Sequence, residues 1–264
     1  MKKILAMVLA LCLMFCAVAA SAEGMVEAIQ EKGVLVVGTE ATYGPYEFLD
    51  DNAQPIGCDI WLAEQIAAEL GVELEVTDMA FDGIIDAVKS GIVDIGIAAF
   101  TVNEERAKVI DFSHEYEKSQ QLLIVRKGDA DTYTTAESLA GLKVGAQMGT
   151  IQSQLIESAL PDSELFELDT YPSLALEVIN GNIVGFVCDY AVGMGMVANN
   201  ENLEVANFTF DSEEASFGKA CVVAQGNEDF LEVVNTVIDR VVEDGSYLEK
   251  FNEYNAIWSS ESAE

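Results

Sequence analysis

Apolar and polar positions along this chain follow two alternating periods, and the clearest example lies in its first half. Ile84, Ile85 and Val88 fall on one face of a helical pattern, and Gly91 ends it. The run 92–99 that follows is apolar apart from one aspartate and one glycine, which is typical of a buried parallel strand. We therefore predict a helix over 82–90, a strand over 92–99 and a further strand over 121–126.

The same periods predict two β-α-β-α-β units. Before residue 128, the pattern adds strands at 34–37 and 72–76 and a helix that begins at Asp59, which is expected to cap it. After residue 128, it predicts strands at 142–147, 165–168, 183–188 and 217–224, with helices at 151–160, 174–179, 190–198, 229–242 and 247–254. This order predicts an α/β fold of two similar lobes, each with a mostly parallel sheet flanked by helices. Strands near 119–126 and 217–224 would link the lobes as a clamshell.

The first 22 residues have the pattern of a secretory signal peptide. Lys2 and Lys3 precede an apolar run over 4–18, and Ala20-Ser21-Ala22 is a small-residue cleavage site. A membrane anchor is the alternative, but the run is shorter than the roughly 20 residues that a spanning helix needs. Lipid attachment at Cys12 or Cys16 is disfavoured, because the residue before each cysteine is large. We expect an exported protein.

Charge and cysteine content limit the partners. The chain carries 13 basic and 46 acidic residues, a formal net charge of −33. Such a charge repels nucleic acid and anionic membrane surfaces, so neither is expected as a partner. After cleavage the cysteines are Cys58, Cys188 and Cys221, an odd number in apolar contexts. Buried free thiols are expected, with a Cys188–Cys221 bridge left open. Without CxxC, and with His114 as the single histidine, no metal or other cofactor is expected.

Functional side chains follow the predicted strands at their carboxyl ends, where ligands bind in α/β sheets. They are Thr101 and Arg106 after strand 92–99, Gly149 and Thr150 after strand 142–147, and Asp189 after strand 183–188. Each has a plainer interpretation. Arg106 could pair with a neighbouring surface glutamate, and Thr150 and Asp189 could cap the helices that follow them.

An ordered set of motifs surrounds these residues. It reads Phe81, Ser90-Gly91, Val93-Asp94-Ile95, Thr101, Arg106 and Asp111-Phe112-Ser113, with Gly57-Cys58-Asp59-Ile60 and Glu69-Leu70-Gly71 upstream. In this order the motifs resemble those of the extracellular solute-binding proteins of polar amino acid ABC importers. The resemblance covers residues 33–254. The Asn103-Glu104-Glu105 turn departs from the family's commoner Thr-Pro-Glu, although Thr101 and Arg106 are retained.

The resemblance implies a two-lobed periplasmic-binding-protein clamshell of type II, in which the chain crosses twice between the lobes. We expect a signal peptide at 1–22, lobe 1 at 23–118 and 217–258, lobe 2 at 119–216 and a flexible tail at 259–264. The implied protein is a monomer without catalysis. It captures a polar L-amino acid in the periplasm or at the extracellular cell surface, and delivers it to the transmembrane permease of an ABC importer.

The resemblance also implies roles for individual residues. Arg106 would grip the ligand α-carboxylate with two parallel hydrogen bonds, helped by Thr101, Gly149 and Thr150, and Asp189 would take the α-ammonium. The remaining expected contacts are Glu40, Tyr43, Phe81, Gln147 and the backbone of Ala99. An acid at position 40 indicates a polar, and less strongly a cationic, ligand side chain. Core packing is the alternative for the aromatic residues and for the alanine.

Two rival functions stay open. Some relatives with this fold are cyclohexadienyl or arogenate-type dehydratases, and such an enzyme needs a general acid over its substrate. His114 is the single histidine and lies near the predicted crossing, where a structural role is expected. A sensor input domain is the other rival, and it would need a signalling domain that the sequence does not carry.

Overall fold

The computed structural model describes residues 24–210 and 216–260. The predicted signal peptide at 1–22 and positions 261–264 of the predicted tail lie outside the described residues. Within the described ranges, no helix is both long enough and apolar enough to cross a membrane.

The described helices and strands alternate along most of the chain. The helices are α1 Met25–Lys32, α2 Cys58–Leu70, α3 Phe81–Ser90, α4 Glu104–Ala107, α5 Ile151–Ala159, α6 Tyr171–Ile179, α7 Tyr190–Ala198, α8 Glu228–Glu243 and α9 Ser246–Trp258, with a 3-10 turn at Ala136–Leu139. The strands are β1 Val34–Thr39, β2 Thr42–Tyr43, β3 Glu47–Leu49, β4 Pro55–Ile56, β5 Glu73–Asp78, β6 Ile95–Gly96, β7 Asp111–Phe112, β8 Glu117–Arg126, β9 Lys143–Gln147, β10 Glu164–Leu168, β11 Gly185–Asp189, β12 Leu203–Val205, β13 Ser216–Lys219 and β14 Val222–Val223.

Two mixed sheets form the cores of two lobes, which confirms the predicted fold class. In lobe 1 the strand order is β5-β1-β6-β14-β7, with β1 parallel to both β5 and β6. In lobe 2 the order is β10-β9-β11-β8-β12, with β9 parallel to both β10 and β11. A small antiparallel sheet, β2-β3-β4, lies beside the first. The carboxyl ends of β1, β9 and β11 therefore bring the chain to the region between the lobes.

Two antiparallel segments connect the lobes. Residues 117–120 of β8 pair with β13, and residues 121–125 of the same strand pair with β11 inside lobe 2. Beyond β13, the chain enters lobe 1 as β14. The residue-level lobe boundaries given above stay a prediction.

Helix α8 illustrates why the periodic patterns identify elements correctly. Its buried residues are Phe230, Val234, Val237, Ile238 and Val241, which share one face. Five of the eight exposed residues of the helix are acidic, so the remaining face is solvated. The predicted helix 229–242 is thus observed as Glu228–Glu243.

Two predicted strands are shorter than expected, because long-range contacts interrupt them. The predicted strand 92–99 is observed only as Ile95–Gly96: the Ile92 side chain is 67% exposed in the turn after α3, and Ala99 has a left-handed φ of 46°. The predicted strand 217–224 is divided into β13 and β14. Between them, Ala220 N–H donates to the Phe100 carbonyl at 2.9 Å, because the chain changes sheets there.

The end of α9 contacts both lobes. The Trp258 indole packs on Phe48 with ring centroids 5.3 Å apart, and the Asn199 side-chain amide of lobe 2 donates to the Trp258 carbonyl at 2.5 Å. A Cβ added at Gly44 of lobe 1, or at Gly195 of α7, would overlap the indole. Glycine at both positions thus permits a tryptophan to bridge the lobes.

We predict that Gly195→Ala destabilises the protein by about 1–3 kcal/mol, because a methyl group there overpacks against Trp258. The matched control is Gly83→Ala in α3, where no atom lies within 4 Å of an added Cβ. There the better helix propensity of alanine should stabilise by up to about 1 kcal/mol. The free energy of unfolding in urea measures both effects. Equal stability of the two variants would contradict the packing of Trp258.

Candidate functional site

Side chains from both lobes converge on one narrow cleft, whose free volume of about 10 Å³ is close to that of a single water molecule. Nine of the ten predicted site residues line it: Glu40, Tyr43, Phe81, Ala99, Thr101, Arg106, Gln147, Thr150 and Asp189. The tenth, Gly149, contributes its carbonyl to a hydrogen bond with the arginine of this set. The other lining residues are Glu47, Ala98, Ile151, Gln152 and Lys219. The residues singled out by their place at strand ends and by the family resemblance therefore lie around one cleft in the structure.

Arg106 lies at the centre of the lobe 1 side of the cleft. Its guanidinium carbon lies 5.4 and 5.2 Å from the ring centroids of Phe81 and Phe100, which stack on each other at 4.7 Å. It donates to the carbonyls of Thr101 at 2.8 Å and, across the cleft, Gly149 at 2.9 Å. Burial lowers the pKa of Arg106 to about 10, so it stays charged at neutral pH. Its low exposure, 9%, rules out the surface-pairing alternative.

The carboxylate of Asp189 lies on the lobe 2 side and has three donors. The Tyr43 hydroxyl and the Lys219 ammonium both donate to Oδ2 at 2.5 Å, and the Gln121 amide donates to Oδ1 at 2.7 Å. Its side chain makes no capping bond to α7, so the capping alternative is wrong. Sequence reasoning missed Lys219. The available signal was a single lysine within the apolar run 217–224.

Thr150 precedes α5 without capping it. Its hydroxyl donates to the Gln147 carbonyl at 2.7 Å, and no side-chain cap is made. The capping alternative for Thr150 is therefore also wrong. Gly149 has a left-handed φ of 77°, and an added Cβ would lie 2.9 Å from the Asp82 side chain of lobe 1. Glycine is thus required at this turn, where the lobes approach each other closely.

Two buried glutamates lie on the lobe 1 side. Glu40 accepts hydrogen bonds from the Thr42 hydroxyl at 2.6 Å and, across the cleft, from the Gln147 amide at 3.0 Å. Burial raises the pKa of Glu40. Glu47 was not predicted as a site residue. Its side chain lines the cleft, and neither of its carboxyl oxygens has a hydrogen-bond partner among the residues described.

The backbone of Ala99 is held in place by Asp59. The Asp59 carboxylate accepts from the Ala99 N–H at 2.7 Å and from the Tyr116 hydroxyl at 2.8 Å. Helix α2 begins one residue earlier, at Cys58, and Asp59 makes no capping bond. The predicted cap is therefore wrong, because the carboxylate turns into the protein interior to reach these two buried donors.

Aromatic rings cover one side of the cleft. The Tyr43 ring lies 4.9 Å from that of Tyr171 and 5.8 Å from that of Tyr46, by ring centroids. Because its hydroxyl reaches Asp189, Tyr43 joins the two lobes through one side chain. Core packing, the alternative given for the aromatic residues, therefore accounts for the ring contacts that Tyr43 makes in this structure.

Glu117 is the first residue of β8, the strand that connects the lobes near this cleft. Its carboxylate accepts from the Tyr46 hydroxyl at 2.9 Å. Burial raises its pKa from 4.5 to about 7, although the charge of Lys219 and the bond from Tyr46 lower it in part. A carboxyl group with this pKa binds its proton more tightly in the folded chain than in the unfolded one.

We predict that the free energy of unfolding falls as the pH rises from 4.5 to about 7, since the folded state holds more protons in this window. The contribution of Glu117 has a slope of at most about 1.4 kcal/mol per pH unit. Glu117→Gln should flatten this part of the profile, whereas Glu115→Gln, at an exposed neighbouring position, should leave it unchanged. Parallel wild-type and Glu117→Gln profiles, measured by urea unfolding from pH 4.5 to 8, would contradict the assignment.

Among the residues described, the cysteine, histidine and acidic side chains form neither a metal site nor a disulfide. Within the described ranges, no group of three or more His, Cys, Asp or Glu side chains could hold a metal ion. Cys58, Cys188 and Cys221 are buried free thiols, as expected, and the Cys188–Cys221 bridge is not formed. The His114 ring pairs with Asp239 at 2.8 Å on the surface.

Comparisons with known proteins agree with this architecture. The family model for bacterial extracellular solute-binding proteins, family 3, matches residues 35–256. The L-cystine-binding protein TcyJ of Escherichia coli is 31% identical over 85% of this chain and 83% of that protein. The putative ABC transporter arginine-binding protein 2 of Escherichia coli is 30% identical over 82% of this chain and 88% of its own length.

Among solved structures, an amino acid ABC transporter substrate-binding protein, AbpA from Streptococcus pneumoniae bound to L-arginine, superposes with a TM-score of 0.85. It is 33% identical, over 89% of this chain and 100% of that one. An ancestral arginine-binding protein bound to arginine gives a TM-score of 0.77 at 35% identity, over 84% of this chain and 98% of that one.

Proposed function

The chain belongs to the bacterial extracellular solute-binding proteins of family 3, and on that premise we propose that it captures an L-amino acid with a cationic side chain for an ABC importer. Arginine is the first candidate ligand. The amino acid would bind in the cleft between the lobes. Because hydrogen bonds such as Arg106–Gly149 and Tyr43–Asp189 already join the lobes, hinge motion would first open the cleft and then close it around the ligand.

One observation carries this proposal: a cation and an anion from opposite lobes face the same cleft. Arg106 follows β6 in lobe 1, and Asp189 ends β11 in lobe 2. The guanidinium matches an α-carboxylate with two parallel hydrogen bonds, and the carboxylate matches an α-ammonium. Since the two charges lie on different lobes, a zwitterion between them would hold the lobes together.

The charge of the remaining lining supports a cationic ligand side chain. Glu40 faces the cleft from lobe 1 at 4% exposure, whereas the other buried acid there, Glu47, lines the cleft together with Lys219. A buried acid favours a cationic partner, because each neutralises the desolvated charge of the other. The arginine-binding names of the relatives above point in the same direction.

The wider biological role follows from the family as a proposal. The protein would be exported by the predicted signal peptide, act as a monomer in the periplasm or at the extracellular cell surface, and pass its ligand to the transmembrane permease of an ABC importer. No turnover is expected. A dehydratase of cyclic acids is disfavoured, because the His114 ring lies on Asp239 at the surface and does not line the cleft.

A thermal-shift screen of the twenty amino acids and cystine tests the proposal. A ligand at a hundred times its dissociation constant should stabilise the protein by about 2.7 kcal/mol. We expect the largest shift with arginine, a smaller shift with lysine and none with leucine or valine. If leucine or valine gave the largest shift, the assignment to a cationic ligand would be wrong. If no amino acid shifted the transition and a cyclic acid were turned over, the dehydratase would be favoured.

A further inference from the structure

Lys219 is a buried cation inside the candidate cleft. It lies on β13, opposite Thr101 in an antiparallel bridge, and its side chain is 1% exposed. Its ammonium donates to Asp189 Oδ2 at 2.5 Å and to the Thr101 hydroxyl at 3.2 Å. One lysine thus connects lobe 2 to lobe 1 through two polar groups of the cleft.

The same two groups are those that the proposed function gives to an incoming amino acid. An α-ammonium at Asp189 Oδ2 would stand where the Lys219 ammonium stands. Two cations at one oxygen repel each other strongly in a buried site. Binding of an α-amino acid therefore requires the lysine ammonium to move to another acceptor within reach of its side chain.

Glu47 is the acceptor that has no other partner. It is 1% exposed, it lines the same cleft, and both of its oxygens lack a hydrogen-bond partner among the described residues. The charge of Lys219 acts on it directly. A buried carboxyl group without a donor is costly unless it is protonated or gains a cation. The other acids on which the charge of Lys219 acts already have donors: Glu117 accepts from the Tyr46 hydroxyl, and Asp59 accepts from the Ala99 N–H.

We propose that Lys219 is a tethered placeholder for the ligand ammonium, which bridges the lobes through Asp189 and Thr101 and moves to Glu47 when an amino acid binds. This inference rests on the proposed function for the identity of the ligand. It assigns Lys219 and Glu47 to the binding reaction, although neither is required to touch the amino acid.

The proposed exchange releases one proton from Glu47 for each amino acid that binds. Burial and the charges of Asp59 and Glu40 raise the pKa of Glu47 well above its usual value, so it is protonated while Lys219 lies on Asp189. When the lysine ammonium arrives, the proton leaves Glu47 for solvent. L-arginine thus enters the cleft with a net charge of +1, one proton leaves, and the Lys219 ammonium and the ligand α-ammonium each have their own carboxylate.

Titration calorimetry with L-arginine at pH 7, in phosphate and in Tris, measures this proton directly, because the two buffers differ in ionisation enthalpy. We expect wild type to release close to one proton per ligand. Glu47→Gln imitates the protonated acid, so it should fold normally, release no proton and bind at least about tenfold more weakly. Glu117→Gln is the matched control and should still release the proton. Release that persists in Glu47→Gln, or is lost in Glu117→Gln alone, would overturn the assignment of Glu47.

Lys219→Met tests the placeholder itself, since it keeps the length of the side chain and removes its charge. Without the competing ammonium, L-arginine should bind at least about tenfold more tightly. Without added ligand, the variant should have a larger radius of gyration in solution scattering than wild type, because one bridge between the lobes is lost. Weaker binding would mean that Lys219 contacts the ligand, and an unchanged radius of gyration would mean that it does not hold the lobes together.

These experiments separate the two proposals. If arginine and the other amino acids bind neither wild type nor Lys219→Met, the proposed function is wrong, and the scattering comparison still decides whether Lys219 bridges the lobes. If arginine binds wild type with no proton release and with the same affinity as Lys219→Met, the function stands and the placeholder is wrong.

Discussion

Arg106→Ala and Asp189→Asn should each weaken amino acid binding by a factor on the order of thirty to several thousand. In the closed cleft both charges of the ligand are removed from water, and loss of either protein partner leaves one ligand charge buried and unpaired. Such a loss costs about 2–5 kcal/mol, and each 1.4 kcal/mol is about a tenfold change in affinity. Calorimetric titration with the best ligand from the screen measures the effect.

Matched variants make this prediction specific. Arg106→Lys should also lose much of the affinity, because an ammonium cannot make two parallel hydrogen bonds to a carboxylate. Arg126→Ala and Arg240→Ala should bind as wild type, since these arginines pair with Asp129 and Glu69 at the surface. If Arg106→Ala and Asp189→Asn bound as tightly as these controls, the zwitterion would not lie between the two lobes as proposed.

The stability of the same variants must be measured beside their affinity. Asp189 is 1% exposed and holds the buried ammonium of Lys219, so Asp189→Asn weakens a contact of the protein with itself. A shift in the unfolding transition without ligand is therefore expected for this variant. The affinity should be compared only under conditions in which each variant is fully folded.

Asp59→Ala should destabilise the protein by about 2–6 kcal/mol, a large loss for a single substitution near the cleft. The change leaves the Ala99 N–H and the Tyr116 hydroxyl buried without their acceptor, and each such group costs about 1–3 kcal/mol. The Tyr247 hydroxyl, 3.3 Å from the same carboxylate, loses a weaker contact. Urea unfolding with an unchanged slope measures the loss.

The Asp59 substitution should also lower the affinity for the ligand. Because Asp59 fixes the left-handed backbone of Ala99, its loss should loosen the strand end that carries Thr101 and lower the affinity as well. Asp86→Ala is the control: this carboxylate is 81% exposed and pairs only with Lys89, so its effect on stability should stay within about 0.5 kcal/mol. Equal stability of the Asp59 and Asp86 variants would show that the buried acceptor is dispensable.

Local patterns in the sequence determined the elements of this fold and half of the chemistry of its cleft. Helix α8 and the sheet strands were predictable because burial of one face imposes a period that can be read along a short segment. Arg106 and Asp189 were predictable as lining one cleft, although 83 positions apart, because strand ends carry the ligand site in α/β sheets and the two sheets face each other across the region between the lobes. The motifs around Thr101 then indicated which strand ends matter.

Only the tertiary structure decided which groups those residues contact and which further side chains join them. Lys219 reaches Asp189 from 30 positions away, and Asp59 reaches Ala99 across 40. The apolar run 217–224 marks Lys219 as unusual but does not show which acid it pairs with, and nothing in the neighbouring sequence distinguishes a buried acceptor such as Asp59 from a helix cap. The hydrogen bonds and charges of buried groups are set by partners that come close only when the lobes fold and meet. The sequence alone likewise predicted 92–99 and 217–224 as continuous strands, whereas the structure shortens the first to Ile95–Gly96 and divides the second into β13 and β14, where the chain changes sheets.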